Sequence, residues 1–235
     1  DNPFREGRPE DKQSFCTNID YVPLELHNPE QRKIHTQIQN FLRKILPKKD
    51  VREYTLKLLS SFLHGSTKNE QFHFWTGTGG NGKSKLVELF ELCIGDYASK
   101  LSISLLTQKR SSSSSADPEV AQTKGERFIN MQEPSAGARI NAGLLKELTG
   151  GDTIITRALY KDTFQFKPQF KIILCCNDVP YLPHNDQGVW RRVRVTEFIS
   201  QFIDDPDPMT KELPLEHPDN PLEFKKEPVD EYFQH

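Results

Sequence analysis

The chain has 235 residues, 31 of them basic and 33 acidic, and a formal net charge of −2 at pH 7. This near balance excludes a uniformly basic coat protein for nucleic acid. Hydrophobic residues make up 35% of the chain, which is enough for a packed core and excludes wholesale disorder. No apolar run reaches the roughly 18 residues that cross a bilayer, and the chain starts without a Met or a signal peptide. We therefore expect a soluble segment cut from a longer protein.

Charge is distributed unevenly along the chain. Residues 203–235 hold 10 acidic and 3 basic side chains and many of the prolines, whereas the residues before them have a net positive charge. We interpret 203–235 as an acidic, proline-rich tail without a core of its own. The four cysteines show no Cys-x-x-Cys spacing, and two of them are adjacent in an apolar run. We therefore expect reduced thiols and an intracellular, reducing compartment.

The first structured part of the chain is predicted to be helical. Residues 1–27 have little periodicity and are interpreted as an extended N-terminal segment. Asn28 as N-cap and Pro29 at the first helical position predict a helix over 29–46. Asp50 is expected to cap a second helix that ends before Gly65. Residues 28–68 are thus a small helical lead-in.

The pattern changes to alternating short strands and helices over 69–202. A helix is predicted over 83–94, and the strand candidates are 72–75, 128–131, 170–176 and 193–198. Alternation of this kind is typical of an α/β domain with a central, mostly parallel sheet.

A phosphate-binding loop follows the first of these strands. The residues Gly77, Thr78, Gly79, Gly80, Asn81, Gly82, Lys83 and Ser84 fit the pattern G-x-x-x-x-G-K-[ST] between a strand and an amphipathic helix. Small residues let successive backbone N–H groups surround a phosphate chain, and the helix N-terminus adds partial positive charge. Lys83 is expected to bind the outer phosphates, and Ser84 to offer its hydroxyl to Mg²⁺.

Two other strands end in residues that suit phosphoryl chemistry. Glu133, after the strand 128–131, is the candidate general base and a candidate neighbour of the Mg²⁺, beside the neutral Gln132. Asn177, after the strand 170–176, is placed to orient the attacking water or to contact the γ-phosphate. The alternatives are an ordinary strand-end glutamate and an ordinary turn asparagine.

A hairpin and an arginine pair complete the candidates. Strand-like arms over 153–159 and 163–166 surround a tip with Tyr160 and Lys161, an aromatic beside a cation that suits a nucleic-acid backbone and base face. Arg191 and Arg192 precede the last strand, and an arginine supplied to a neighbouring subunit stabilises charge at a γ-phosphate. The alternatives are a solvated turn and a surface ion pair.

In this order, the motifs resemble those of the superfamily 3 helicases, and more narrowly of the poxvirus-type primase-helicases of large DNA viruses. The segments that carry the resemblance are GTGGNGKS (77–84), QEP (132–134), LKELTGGD (145–152), RALYK (157–161), CND (176–178) and WRRVRV (190–195). The resemblance covers about residues 70 to 200, and the segment before it is similar to the family's lead-in.

The resemblance implies an AAA+ P-loop core, a homo-hexameric ring and Mg²⁺-dependent hydrolysis of ATP or another NTP. It also implies movement along single-stranded DNA in viral DNA replication, at a virus factory or in the virion, with a primase domain upstream and no membrane attachment. It assigns catalysis to Glu133 and Asn177, a finger acting in trans to Arg191 or Arg192, and DNA contact to Arg157, Tyr160 and Lys161.

Two further functions are compatible with the residues. One is a ring ATPase of another kind, such as a packaging or remodelling motor. The other is an assembly protein that binds nucleotide without productive turnover. Stimulation of hydrolysis by single-stranded DNA, and unwinding of a forked duplex, separate the three.

Overall fold

The computed structural model describes residues 8, 10, 14–107, 117–132, 134, 137–204 and 222–225. In that part of the chain the helices are α1 (Pro29–Ile45), α2 (Lys49–Ser61), α3 (Lys83–Ile94), α4 (Ser104–Thr107), α5 (Pro118–Gln122), α6 (Ala142–Thr149) and α7 (Gln187–Trp190). The strands are β1 (Phe72–Thr76), β2 (Ala98–Lys100), β3 (Phe128–Gln132), β4 (Ile154–Arg157), β5 (Thr163–Phe166), β6 (Lys171–Cys175), β7 (Val193–Glu197), β8 (Ser200–Ile203) and β9 (Leu222–Lys225).

Five parallel strands form the central sheet in the order β2-β3-β6-β1-β7. In this register Phe72 of β1 lies opposite Ile172 on one side and Val193 on the other. Gln132 of β3 lies opposite Cys175 of β6. The predicted α/β class and the mostly parallel sheet are therefore confirmed.

Apolar side chains cover both faces of the sheet, as expected for parallel strands. Phe72 and Phe74 point into one core, which includes Leu144 and Leu148 of α6. Trp75 directly follows Phe74, points to the opposite face of the strand and belongs to a second core. That second core also contains the buried side chains of α1, α2 and α3, so the helical lead-in is packed directly on the sheet that carries the phosphate loop.

The start of α1 has the capping pattern that the sequence predicts. The side chain of Asn28 accepts a 2.8 Å hydrogen bond from the backbone N–H of Gln31, whose own side chain accepts a 2.9 Å bond from the N–H of Asn28. The predicted cap of α2 is wrong. That helix begins at Lys49 with Lys48 as N-cap, and Asp50 lies in its first turn, where a carboxylate still interacts favourably with the helix dipole.

Several elements differ from the sequence prediction. β2 was not predicted, because its three residues Ala98–Lys100 have no apolar alternation. The first hairpin arm is shorter than expected, at Ile154–Arg157, whereas the second, Thr163–Phe166, has the predicted bounds. β8 pairs in parallel with β9 at Leu222–Lys225, inside the segment 203–235, of which only residues 203, 204 and 222–225 are described. No helix of the described residues is long and apolar enough to cross a membrane.

Candidate nucleotide-binding site

The loop over 77–82 joins the end of β1 to the start of α3 and needs glycine at two positions. Gly77 has φ 138°, and a Cβ there would lie 2.5 Å from the carbonyl oxygen of Phe198. Gly82, the N-cap of α3, has φ 82°, and its Cβ would lie 2.4 Å from Cγ2 of Ile45. A side chain at either position is excluded by both backbone conformation and space.

Lys83 is the first residue of α3 and is only 7% exposed. Its ammonium donates a 2.6 Å hydrogen bond to the carbonyl of Gly77, which closes the loop on itself. Burial lowers the pKa of Lys83. The side chain is thus held at the base of the loop, where a phosphate oxygen is able to replace the Gly77 carbonyl.

Asn81 stabilises the loop from within. Its side-chain amide donates to the carbonyl of Thr78, and its Oδ1 accepts a long bond of 3.4 Å from the backbone N–H of Lys83. Asn81 is buried. The loop is therefore shaped by its own residues before any ligand arrives, a preorganisation that lowers the entropic cost of binding.

The loop opens into a cavity of about 820 Å³. The cavity walls include Lys83 and Ser84 from α3, Gln132 at the end of β3, and Asn177 just after β6. β6 lies directly between β1 and β3, so Asn177 emerges between the loop and Gln132. The structure thus brings these predicted residues together at the carboxyl ends of parallel strands, where ligands of α/β proteins bind. Glu133 lies outside the described residues.

Cys175 and Cys176 are also among the residues that line the cavity. Burial raises the pKa of Cys175 to about 12 and that of Cys176 to about 11. Both are free cysteines, and at neutral pH both are uncharged thiols. They line the cavity without adding negative charge, which suits a site for a phosphate chain.

The described residues around this cavity offer few potential metal ligands. Within the described ranges, no group of three or more His, Cys, Asp or Glu side chains is arranged to hold a metal. Mg²⁺ in phosphoryl-transfer sites is typically held by one or two protein groups together with phosphates and water. The Ser84 hydroxyl in the cavity wall fits this mode.

The arginine pair lies at the other end of the sheet. Arg191 and Arg192 precede β7, and the backbone N–H of Phe72 at the start of β1 bonds to the carbonyl of Arg192. The loop follows the last residue of β1. At about 3.3 Å per residue, the first and last residues of β1 are roughly 13 Å apart. The structure therefore does not bring either arginine to the phosphate loop of its own chain.

Both arginines bind Glu70, a residue that the sequence patterns did not indicate. Nη2 of Arg191 lies 2.6 Å from Oε2 of Glu70, and Nη2 of Arg192 lies 2.7 Å from the same oxygen. Glu70 and Arg191 are 121 positions apart in the chain, so no local motif connects them.

The hairpin tip is exposed and strained. Tyr160 has no burial at all and adopts φ 58°, a left-handed conformation that is uncommon for an aromatic residue. Lys161 and Arg157 are also exposed. None of the three lines the cavity, so the hairpin is a surface separate from it.

Arg139 and Tyr181 were also missed by sequence reasoning. Tyr181 lines the cavity, and the guanidinium of Arg139 lies 4.7 Å from the centre of its ring. Backbone bonds from Ile140 N–H to Tyr181 O (3.0 Å) and from Tyr181 N–H to Ala138 O (2.9 Å) hold the two segments together. A guanidinium over a ring is favourable, but no spacing in the sequence predicts it.

Comparison with known proteins gives one family and several viral relatives. A family model described as a family of unknown function, DUF5906, matches residues 75–192, half of the chain. A protein of Acanthamoeba polyphaga mimivirus named "Putative helicase" is 49% identical over 200 residues, which are 85% of this chain and 20% of that protein. A "Putative helicase" of Frog virus 3 is 37% identical, over 83% of this chain and 19% of that protein.

A third relative and a solved structure extend the comparison. A "Putative primase" of African swine fever virus is 30% identical, over 90% of this chain and 21% of that protein. The resemblance to helicases and primases of large DNA viruses is thus confirmed, although the chain spans about a fifth of the length of these relatives. The apo structure of the NrS-1 C-terminal region has a similar fold, with a TM-score of 0.56 and 15% identity over 93% of this chain and 45% of that one.

Proposed function

This chain belongs to the DUF5906 family, and we propose that it is the motor of a viral DNA helicase, which hydrolyses ATP or another nucleoside triphosphate to move along single-stranded DNA. The observation that carries the proposal is the cavity at the carboxyl ends of the strands, where the glycine loop, Lys83, Gln132 and Asn177 converge. The viral relatives named as helicases and primases support the replicative role.

The binding step follows from the loop. A triphosphate enters along the backbone N–H groups of 77–82, and Lys83 exchanges the Gly77 carbonyl for a phosphate oxygen. The positive end of the α3 dipole stabilises the same negative charge. The Ser84 hydroxyl would ligate Mg²⁺, which supplies neutralisation of charge on the phosphates.

The hydrolytic step uses the neighbouring strand ends. Glu133 accepts the proton of the attacking water as general base. Asn177 lies on the cavity wall between the loop and Gln132, and its amide orients that water. Because both arginines lie at the far end of the sheet, the arginine that stabilises the transition state comes from an adjacent subunit, in a ring of the AAA+ type with six copies.

The DNA contact is assigned to the hairpin tip. Tyr160 is fully exposed, Lys161 beside it is exposed, and Arg157 lies on the exposed face of β4. Stacking on an aromatic and pairing with phosphates are the two contacts that bind single strands without sequence preference. In the ring the tips line the central channel, within a longer protein that carries a primase domain and acts where viral DNA is replicated.

One experiment separates this function from its alternatives. The full protein that contains this chain is assayed for ATP hydrolysis with and without single-stranded DNA, and for unwinding of a forked duplex. A helicase motor shows both DNA stimulation and unwinding, and both are lost in Lys83→Ala. Hydrolysis without unwinding indicates a packaging or remodelling motor. Nucleotide binding without turnover indicates an assembly protein.

A further inference from the structure

Two guanidinium groups share one carboxylate oxygen near the start of β1, at the end of the sheet opposite the phosphate loop. Oε2 of Glu70 lies 2.6 Å from Arg191 and 2.7 Å from Arg192. The two arginines are adjacent in sequence but differ in their surroundings. Their side chains are 63% and 8% exposed, respectively. This difference allows their roles to be separated.

Arg192 has the surroundings of an anchor. Its Nη1 donates a 2.7 Å hydrogen bond to the carbonyl of Gly188. Gly188 and Gly150 also flank this guanidinium, because a Cβ built on them would lie 3.9 Å from Nη1 and 3.9 Å from Nη2, respectively, in ordinary van der Waals contact. Gly150 begins the Gly-Gly-Asp segment that the sequence singled out. If this buried charge left its site, Glu70 would lose one of its two guanidinium partners and the Gly188 carbonyl would lose its bond to Nη1.

Arg191 has the surroundings of a movable group. Its side chain is mostly in solvent, and its contact with Glu70 is therefore a surface ion pair, which contributes little to stability. A phosphate presented by another molecule is able to replace that carboxylate, since a guanidinium binds both in the same geometry. Until then, Glu70 keeps the long side chain in one conformation.

The backbone of Glu70 is itself constrained. It has φ 49°, which is uncommon for a residue with a side chain, and its N–H donates a 2.8 Å bond to the carbonyl of Thr67. Strained conformations of this kind tend to occur where a side chain must be aimed. Here the conformation is found at the carboxylate that both arginines share.

We propose that Glu70 is a positioning residue, that Arg192 anchors it, and that Arg191 is the arginine that reaches the γ-phosphate in the cavity of an adjacent subunit. This inference rests on the proposed function, because it needs nucleotide hydrolysis between subunits. It goes further by choosing between the two arginines and by giving a role to a glutamate outside the motifs. Glu70 acts through Arg191 and does not contact the nucleotide.

The test is complementation between two defective proteins. Glu70→Ala subunits keep an intact phosphate loop but present a poorly placed Arg191, and we expect turnover to fall between about tenfold and a hundredfold. Lys83→Ala subunits lack a working loop but keep Glu70 and both arginines. Mixed assemblies should recover hydrolysis, because the intact loop of one subunit then receives Arg191 from the other. A merely structural role of Glu70 predicts no recovery.

The arginines are distinguished in the same assay. Arg191→Ala should lose about 10³-fold or more in turnover, with an unchanged melting temperature, and should recover in mixtures with Lys83→Ala. Arg192→Ala should lower the melting temperature, because it removes a buried partner of Glu70. Glu70→Ala added to Arg191→Ala should cause no further loss of turnover, since both act on one step.

The controls keep the inference open to refutation. Glu53→Ala removes an exposed carboxylate paired with Lys49 on α2 and should leave turnover unchanged. Glu70→Gln keeps the shape of the side chain and replaces Glu70→Ala if that variant does not fold. Full turnover in both Glu70 variants, or the absence of recovery in mixtures, overturns the inference while Lys83-dependent hydrolysis persists. A wild-type protein without Lys83-dependent hydrolysis overturns the proposed function as well.

Discussion

The ammonium of Lys83 and the carbonyl oxygen of Gly77 lie 2.6 Å apart, so the first residue of α3 is bonded to the first residue of the phosphate loop. The bond satisfies a buried cation that would otherwise be costly at this position. It also places the charge where the outer phosphates of a nucleotide would lie. In the proposed function, binding of the nucleotide would exchange the Gly77 carbonyl for a phosphate oxygen.

Lys83→Ala should abolish hydrolysis, because it removes that charge and leaves the glycine backbone of the loop in place. Turnover of ATP by the full protein measures the effect. Lys57→Ala, at an exposed position of α2, is the matched control and should keep full turnover. If Lys83→Ala retains most of the wild-type rate, the loop is not the hydrolytic site.

Glu133→Gln should keep or tighten nucleotide binding and stop turnover. A neutral amide preserves the shape of the side chain but does not accept the proton of the attacking water. Equilibrium binding of ATP and steady-state hydrolysis are compared in the same preparation. Loss of binding with normal turnover of the remaining complex would instead mark Glu133 as a structural residue.

Lys161→Ala should weaken binding of single-stranded DNA and make the slope of log K against log salt shallower by about one phosphate contact per subunit. Nucleotide binding should be unchanged, because the hairpin tip does not line the cavity. Binding titrations at several salt concentrations measure the slope. Lys167→Ala, at an exposed position just after β5, is the control and should change the slope less.

Tyr160→Ala at the same tip should act differently. If a base stacks on the ring, the affinity for single-stranded DNA falls by about 1 to 3 kcal/mol with a smaller change in the salt slope. Alanine at position 160 has to adopt the same left-handed conformation, φ 58°, as the tyrosine that it replaces. The strain in the backbone is therefore unchanged, and the substitution should affect folding little. Unchanged unwinding and unchanged DNA stimulation in the Tyr160→Ala, Lys161→Ala double variant would assign DNA contact to another surface.

His73 in β1 should make stability depend on pH. It is fully buried, and neither ring nitrogen has a hydrogen-bond partner among the described residues. Burial, helped by Arg194 and Lys171, lowers the pKa of His73 to about 4 from its usual 6.5. The unfolded chain therefore binds the proton first as the pH falls. The contribution to the free energy of unfolding, about 3 kcal/mol, is complete above pH 6.5 and is lost as the pH falls towards 4.

Glu126 has the opposite effect on stability. The pH dependence of the wild-type free energy of unfolding therefore does not show the contribution of either group by itself. Burial, with the charge of Asp96, raises the pKa of Glu126 to about 7. Its protonated form is favoured in the folded protein, and this contribution is lost as the pH rises from 4.5 through 7. In urea unfolding, the free energy of unfolding of His73→Leu should lack the increase between pH 4 and 6.5 that His73 contributes to the wild-type protein. Glu126→Gln should gain stability relative to wild type at pH 8 and not at pH 4, and equal profiles would contradict both assignments.

The positions of most helices and strands along the chain were predictable from the sequence, because the residues that determine them lie close together in the sequence. The phosphate loop follows from the spacing of its glycines, Lys83 and Ser84, and α3 begins and ends where the pattern predicts. The cap at Asn28 and the apolar strands β1, β3 and β6 likewise depend on neighbouring residues. β2 was missed, because three residues without alternation gain their strand conformation only from pairing with β3.

The order of the strands and the partners of the charged side chains were decided only by tertiary structure. Parallel strands pair across long stretches of chain, so nothing near Asn177 in the sequence places it between the loop and Gln132. The sequence left open which of Arg191 and Arg192 is available to another molecule, because both follow Trp190 in the same local context. Both bind Glu70, 121 positions before Arg191, but Arg192 is buried in the folded chain and Arg191 is mostly in solvent. Burial and ion pairing depend on surfaces that exist only once distant segments have packed together.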